Sequence, residues 1–211
     1  MSHAELDAPE PIPGSEAAVA AVRKRPKPGE RRVQILQALA TMLEQPGAER
    51  ITTAALAAKL EVSEAALYRH FASKAQMFEG LIEFIEQSVF TLINQITERE
   101  LQGQTQAARI VAMLLQFAEK NPGMTRVMVG DALVFENERL QQRMNQFFDK
   151  VEASLKQCLR ADGDAAAPTV DAQVRASVLT SFIVGRLQRF ARSGFKRMPS
   201  EHLEASLARM V

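Results

Sequence analysis

The sequence predicts an all-α fold, and three observations predict it. Ala, Leu, Gln, Glu and Arg dominate the composition, Trp is absent, and no long alternation of Val, Ile and Thr marks a strand. Apolar residues recur at three- and four-residue steps through several segments, the spacing that lines one face of a helix. Pro, Gly and short polar clusters punctuate those segments. About nine helices result. An apolar content of 46% is ample for a core in 211 residues, a length that holds one large domain or a small domain fused to a larger one.

Residues 1–29 hold five prolines beside Ala, Glu and Gly with no sustained apolar period, so a disordered tail is expected. A first helix is expected from Glu30 to Gln45. Val33, Leu36, Ala40 and Leu43 repeat along it with Ile35, Leu39 and Met42 alongside, and Pro46-Gly47 stops it. The second helix starts at Thr52 or Thr53, whose hydroxyl can accept an orphan amide hydrogen bond, and places Leu56 and Leu60 on one face. Ser63 caps a third helix, which buries Ala66 and Leu67. Phe71-Ala72-Ser73-Lys74 breaks the pattern, and Ser73 caps the fourth helix.

That fourth helix is long, expected from Lys74 to about Thr97, with Met77, Leu81, Phe84, Ile85, Val89, Leu92, Ile93 and Ile96. At ~1.5 Å per residue it is long enough to bridge two domains. Gly103 and the polar run Gln102 to Gln106 predict a loop. A helix through Ile110, Met113, Leu114 and Phe117 ends at Asn121-Pro122-Gly123, and another covers Thr125 to Phe135. Residues 137–160 are strongly amphipathic through Leu140, Met144, Phe147, Phe148, Val151, Leu155 and Leu159. Asp162-Gly163-Asp164, an Ala run and Pro168 predict a flexible connection. An apolar helix over 170–193 (Val174, Val178, Ile183, Leu187, Phe190) and a short one near 200–210 complete the chain. The boundaries divide it into the tail 1–29, a small unit 30–73 and a larger helical unit 74–211.

Residues 52–71, TTAALAAKLEVSEAALYRHF, carry the functional signal. Two short Ala/Leu-rich segments flank a tight polar break at Glu61-Val62-Ser63, which reads as a DNA-binding helix-turn-helix. A helix built from Ala65, Ala66 and Leu67 is slim enough for a major groove about 12 Å wide. Ser63, Glu64, Ala65, Tyr68 and Arg69 occupy its exposed face or edges. Arg69 can bond a guanine edge or a phosphate, and Ala65 can contact a thymine methyl. Thr52, Thr53, Tyr68, His70 and Lys74 are placed as backbone clamps, which set register without reading bases. The helix N-terminus at Ser63 adds a positive dipole end, and Phe71 is expected to pack inside.

Net charge is only +1, but its distribution is uneven. Residues 1–22 hold four acids and no Lys or Arg, whereas residues 23–32 hold six cations against Glu30, or 6 − 1 = +5. Such a block beside a helix-turn-helix can follow a phosphate backbone, or be a solvated linker. A second cluster, Arg186, Arg189, Arg192, Lys196 and Arg197, is either a solvated helix face or a site for an acidic partner.

Other classes find little support. Cys158, the only cysteine, sits at helical spacing with Leu155 and Leu159 and reads as core; it excludes an intramolecular disulfide and a CxxC metal site. With only His3, His70 and His202, and no HExxH, GxSxG or phosphate-cradling Gly loop, no catalysis, metal or cofactor is expected. No signal peptide opens the chain and no run of 18 apolar residues occurs, so a cytoplasmic location without membrane contact is expected.

One helix-turn-helix covers few base pairs, so a dimer reading two half-sites is expected. The amphipathic pair 137–160 and 170–193 are candidates for its interface, with Gly185 allowing close approach, although an ordinary intrachain core explains part of the same pattern.

The stretch ITTAALAAKLEVSEAALYRHFASKAQMF resembles the N-terminal domain of TetR-family regulators, which are dimeric all-helical DNA-binding proteins. The likeness covers residues 30–78 and implies a TetR-like fold with a C-terminal helical dimerisation domain. Glu61 departs from the family, which has Gly in the turn; a left-handed non-Gly residue costs roughly 1–2 kcal/mol. Further along, GLIEFIEQSVFTLINQI, FAEKNPGMTRVMVGDALVFENERLQQRMNQFF and RFARSGFKRMPS resemble one branch of that family. Its members bind palindromic chromosomal sites, with room for several dimers per site, and when DNA-bound engage the division GTPase FtsZ and block division-ring assembly over the nucleoid. The resemblance implies a partner groove on the helices 74–97 and around 113–120, with Phe84 as an apolar anchor, Met113 beside it and Lys120 facing an acidic tail peptide. The alternative is a repressor released by a small apolar ligand, with Met113, Phe117, Met128, Met144 and Phe147 lining an adaptable pocket or simply forming a core.

Overall fold

The structure is a computed structural model that describes residues 29–45, 51–161 and 168–210. The tail 1–28, the Pro46-Gly47 stop and the Asp162–Ala167 connection lie outside the described residues. Nine α-helices and one 3-10 turn are present among them, and no strand.

Helix α1 (Glu30–Leu43) is apolar on the side that carries Ile35, Leu39, Ala40 and Leu43, all buried. Val33, expected on that side, is 49% exposed, because the buried stripe runs through Ile35, Leu39 and Leu43, with Leu36 half-buried at its edge. Helices α2 (Thr53–Lys59) and α3 (Glu64–Tyr68) come next, then α4 (Lys74–Arg99). Ser73 caps the start of α4, its Oγ accepting from Gln76 N at 3.2 Å, and Gln76 Oε1 reaches back to accept from Ala72 N at 2.9 Å, a variant of the capping box shifted by one residue. On α4, Met77, Leu81, Ile85, Val89 and Ile93 are buried, whereas Phe84 and Leu92 face outward.

Helix α5 (Gly103–Lys120) begins where the sequence predicts a loop, so the polar run 102–106 forms its first turn. Gln106 Nε2 donates to the carbonyls of Thr97 and Glu100, which ties that turn to the end of α4. Asn121-Pro122-Gly123 does not only end α5. Pro122 is the first residue of α6 (Pro122–Met128), a position where its missing N–H costs nothing. Helix α6 stops at Met128 rather than Phe135, because Gly130 turns left-handed (φ 85°) and leads into the 3-10 turn Asp131–Leu133. Helix α7 (Glu138–Ala161) and α8 (Pro168–Arg192) form the most extensive pairing in the molecule, and α9 (Leu203–Leu207) closes the described chain.

The apolar stripe of α7, from Leu140 through Met144, Phe147, Val151, Leu155 and Leu159, is wholly buried inside this one chain. Phe147 packs edge-on against Phe90 and Phe148, with ring centroids 5.7 and 5.1 Å away. Cys158, three turns further along α7, is buried in the core. Helix α8 is apolar on two sides. Leu179, Ile183, Leu187 and Phe190 enter the core, while Val170, Val174 and Val178 are 64%, 58% and 48% exposed. No described helix is long and apolar enough to cross a membrane.

Candidate nucleic-acid interface

Helices α2 and α3 are short, so their ends decide their geometry. Thr52 and Ser63 are both N-caps: Thr52 Oγ1 accepts from Ala55 N at 3.1 Å and Ser63 Oγ from Ala66 N at 3.2 Å. Between them, Val62 N donates to Ala57 O and Glu61 N to Ala58 O, which is the Schellman closure of a helix end. Glu61 stands in the left-handed region (φ 53°), as expected for the position that carries Gly in the family, and the turn keeps its regular form. Glu61→Gly is therefore expected to raise stability by about 1 kcal/mol, measurable as a shift in the denaturation midpoint without a change in slope.

Thr53 adds a second link that the sequence did not suggest. Its hydroxyl donates to Glu64 Oε2 at 2.6 Å, joining the first residue of α2 to the first residue of α3. Leu56, Ala57, Leu67 and Phe71 are buried beneath, so Phe71 packs inside as expected. The outer face of α3 carries Glu64, Ala65, Tyr68 and Arg69, all exposed, with Tyr68 at 45%. His70 is half-buried, and its carbonyl accepts a hydrogen bond from Arg32 Nη1 at 2.5 Å. The same guanidinium lies 4.1 Å from the centroid of Phe71. Arg32, which the sequence places in a phosphate-following block, thus braces the end of α3. Arg23, Lys24, Arg25 and Lys27 of that block lie outside the described residues.

Lys74 opens α4 at the edge of this face, but its ammonium meets Glu136 Oε1 at 2.5 Å, with side-chain exposures of 28% and 11%. A second pair, Arg139 with Glu79 at 2.5 Å, lies one to two turns along α4. Together they fasten the segment between the 3-10 turn and α7 to the start of α4. Nothing in the sequence pairs residues 62 positions apart.

The residues proposed for partner contact sit on neighbouring helices. Phe84 on α4 is 45% exposed, Met113 on α5 is half-buried against the core, and Lys120 is the exposed last residue of α5. Of the five residues named for a ligand pocket, only Met128 and Met144 line the groove between the 3-10 turn, α7 and α8. Phe147 is fully buried, and Met113 and Phe117 pack on the core. The groove is open, about 490 Å³ in volume, and its walls also carry Asp131, Gln141, Asn145 and Asp149.

Residues 35–81 match the family described as bacterial regulatory proteins, tetR family, and residues 102–210 match the tetracyclin repressor-like, C-terminal domain. The chain is 53% identical over 177 residues to the nucleoid occlusion factor SlmA of Idiomarina loihiensis, covering 83% of this chain and 90% of that one. It is 51% identical over 180 residues to SlmA of Aliivibrio fischeri, covering 84% and 92%. Among solved structures, a TetR transcriptional regulator from Legionella pneumophila superposes with a TM-score of 0.69 at 15% identity, over 87% of this chain and 97% of that one. FadR from Bacillus subtilis in complex with stearoyl-CoA gives 0.68 at 14% identity, over 85% and 97%. At those identities the likeness is one of fold. The chain belongs to the TetR family of bacterial DNA-binding proteins, and over more than four-fifths of its length it is similar to nucleoid occlusion factors.

Proposed function

We propose that this TetR-family chain is a nucleoid occlusion factor that binds palindromic chromosomal sites as a homodimer. When DNA-bound it engages FtsZ and blocks division-ring assembly over the nucleoid, with which it is associated in the cytoplasm. The observation that carries this reading is 53% identity across 90% of a nucleoid occlusion factor's length. The exposed Ala65, Tyr68 and Arg69 on a capped, braced α3 support groove entry, with Ala65 and Arg69 reading base edges. Thr52, Ser63, Tyr68 and His70 flank that face and would set register on phosphates, and Thr53 would join them only by turning its hydroxyl away from Glu64. The exposed Val170, Val174 and Val178 of α8, with Gly185 whose added Cβ would meet nothing within 4 Å, support a dimer face. Phe84, Met113 and Lys120 would take the division protein.

Lys74 can neutralise a phosphate only by leaving or sharing Glu136. Lys74→Ala is expected to flatten the dependence of log K on log salt by about one unit, and Glu136→Gln to strengthen duplex binding several-fold. Equal salt slopes for wild type and Lys74→Ala would remove Lys74 from the phosphate-contacting set.

The decisive experiment monitors FtsZ polymers by sedimentation and light scattering with the protein alone, a palindromic duplex alone, and both. The reading expects polymer loss only with both. Polymers indifferent to the complex, together with duplex affinity lowered by an apolar ligand, would establish the ligand-released repressor instead.

A further inference from the structure

Several of the described cations elsewhere on this protein are paired. Lys74, Arg109, Arg139, Arg143, Lys150 and Arg175 each meet a carboxylate within 4.0 Å. At the end of α8 and in the loop after it, cations cluster without such partners. Arg186 donates to Glu201 O and Ser206 Oγ and lies 4.8 Å from the Phe182 ring centroid. Arg189, Arg192, Lys196 and Arg197 have no ion-pair partner among the described residues.

A helix C-terminus favours basic residues through its dipole, which accounts for Arg189 and Arg192. It does not account for Lys196 and Arg197, which lie beyond the helix in a loop held in one shape. Ser193 Oγ accepts from both Lys196 N and Arg197 N, at 3.1 and 2.9 Å, and donates to Phe190 O at 2.8 Å. Gly194 and Phe195 are both left-handed (φ 62° and 64°), and Phe195 packs edge-on against Phe190, with the Arg126 guanidinium 5.4 Å from its ring centroid. The far end is pinned where Ser200 N and Oγ donate to Glu119 in the last turn of α5, at 2.9 and 2.5 Å. A non-Gly residue held left-handed costs stability, and the surrounding contacts over-determine it.

The loop encloses a cleft of about 680 Å³ lined by Arg189, Lys196, Arg197, Met198, Ser200 and Glu201. Met198 is 51% exposed. We propose that this cleft is a docking site for an acidic peptide segment of a protein partner, with Met198 receiving an apolar side chain between the charged ones. Clustered arginines recognising acidic motifs are a recurrent solution, and the preset loop lowers the ordering cost of binding. A duplex fits less well, since a continuous row of phosphates would gain nothing from the exposed Met198. None of the residues lining the cleft belongs to the helix-turn-helix or to the Phe84, Met113 and Lys120 set, and the proposal does not depend on which protein carries the segment.

The test uses the full chain and a short fluorescein-labelled peptide of Asp and Glu residues around a central Leu, read by anisotropy at low ionic strength. Arg189→Ala/Lys196→Ala/Arg197→Ala alters only exposed side chains and is expected to weaken peptide binding about tenfold, as three exposed ion pairs would. Lys156→Ala/Arg160→Ala, elsewhere on the surface, should leave it unchanged. Met198→Ser should weaken the Leu peptide several-fold but not an all-acidic one. Equal affinity for wild type and the triple variant would overturn the proposal. So would a triple variant that loses binding to a non-palindromic duplex while keeping the peptide, since the cleft would then be a nucleic-acid surface.

Discussion

Gly123→Ala is expected to lower the melting temperature by roughly 6–12 °C and to weaken duplex binding with it. A Cβ at Gly123 would stand 1.9 Å from Ala40 O and 2.8 Å from Ala40 C, with Glu44 Cγ at 3.3 Å. The obstruction is backbone inside a hydrogen-bonded helix, so no side-chain rotation relieves it. Helices α1 and α6 must separate by about an ångström, and overpacking of that kind costs ~3 kcal/mol or more. Each kcal/mol moves the midpoint by ~2–4 °C in a chain of this size. The consequence reaches the DNA-facing end because α1 also carries Arg32, which braces His70 and Phe71 at the end of α3. Gly80→Ala is the informative contrast. Its Cβ would meet the flexible tips of Phe71 and Leu36 at 3.1 and 3.3 Å, contacts that can yield by tenths of an ångström. Circular-dichroism melts of the two variants decide the matter, and a fall under ~2 °C for Gly123→Ala would show that the α1–α6 contact is slack.

Gly123 also marks where sequence reasoning reached its limit. Asn121-Pro122-Gly123 reads as a stop, and it does end α5. That Pro122 also begins α6, and that Gly123 is small because α1 backbone lies against it, are tertiary facts with no local signature. The helix-turn-helix was legible for the opposite reason. Its caps Thr52 and Ser63, its turn at Glu61 and its buried Leu56, Leu67 and Phe71 are all encoded within twenty residues. Local chemistry suffices there. Periodicity located α4, α7 and α8 but could not say which apolar side chains meet their own chain. Phe84, Leu92, Val174 and Val178 share the spacing of core residues, yet they point outward. Hydrophobic spacing reports amphipathicity, not which of two apolar faces is covered. The Lys74–Glu136 and Arg143–Glu86 pairs were invisible because they join α4 to a segment about sixty residues later, and nothing short of the fold brings them together.

The two-sided α8 sets up the second large effect. Val174→Lys/Val178→Lys is expected to leave the fold intact, since both side chains are already about half exposed, and yet to convert the protein to monomers. Exposed valines in a row are tolerated on a soluble surface when another surface covers them, and a two-fold axis lets the same stripe cover itself. Four lysines brought together across that axis would repel, which an Ala substitution would not achieve. Because each half-site contact is weak alone, losing the linkage between two of them should cost a factor of roughly 10²–10⁴ in affinity for a palindrome. Affinity for a single half-site should barely change. Sedimentation velocity and duplex titrations separate these outcomes, with Val33→Lys as a control at an equally exposed valine on α1. A dimer that persists with unchanged palindrome affinity would place the interface on another face. The α8 valines would then need a different cover, and the groove beside them, lined by Val134, Phe148 and Val184, would be the next surface to charge.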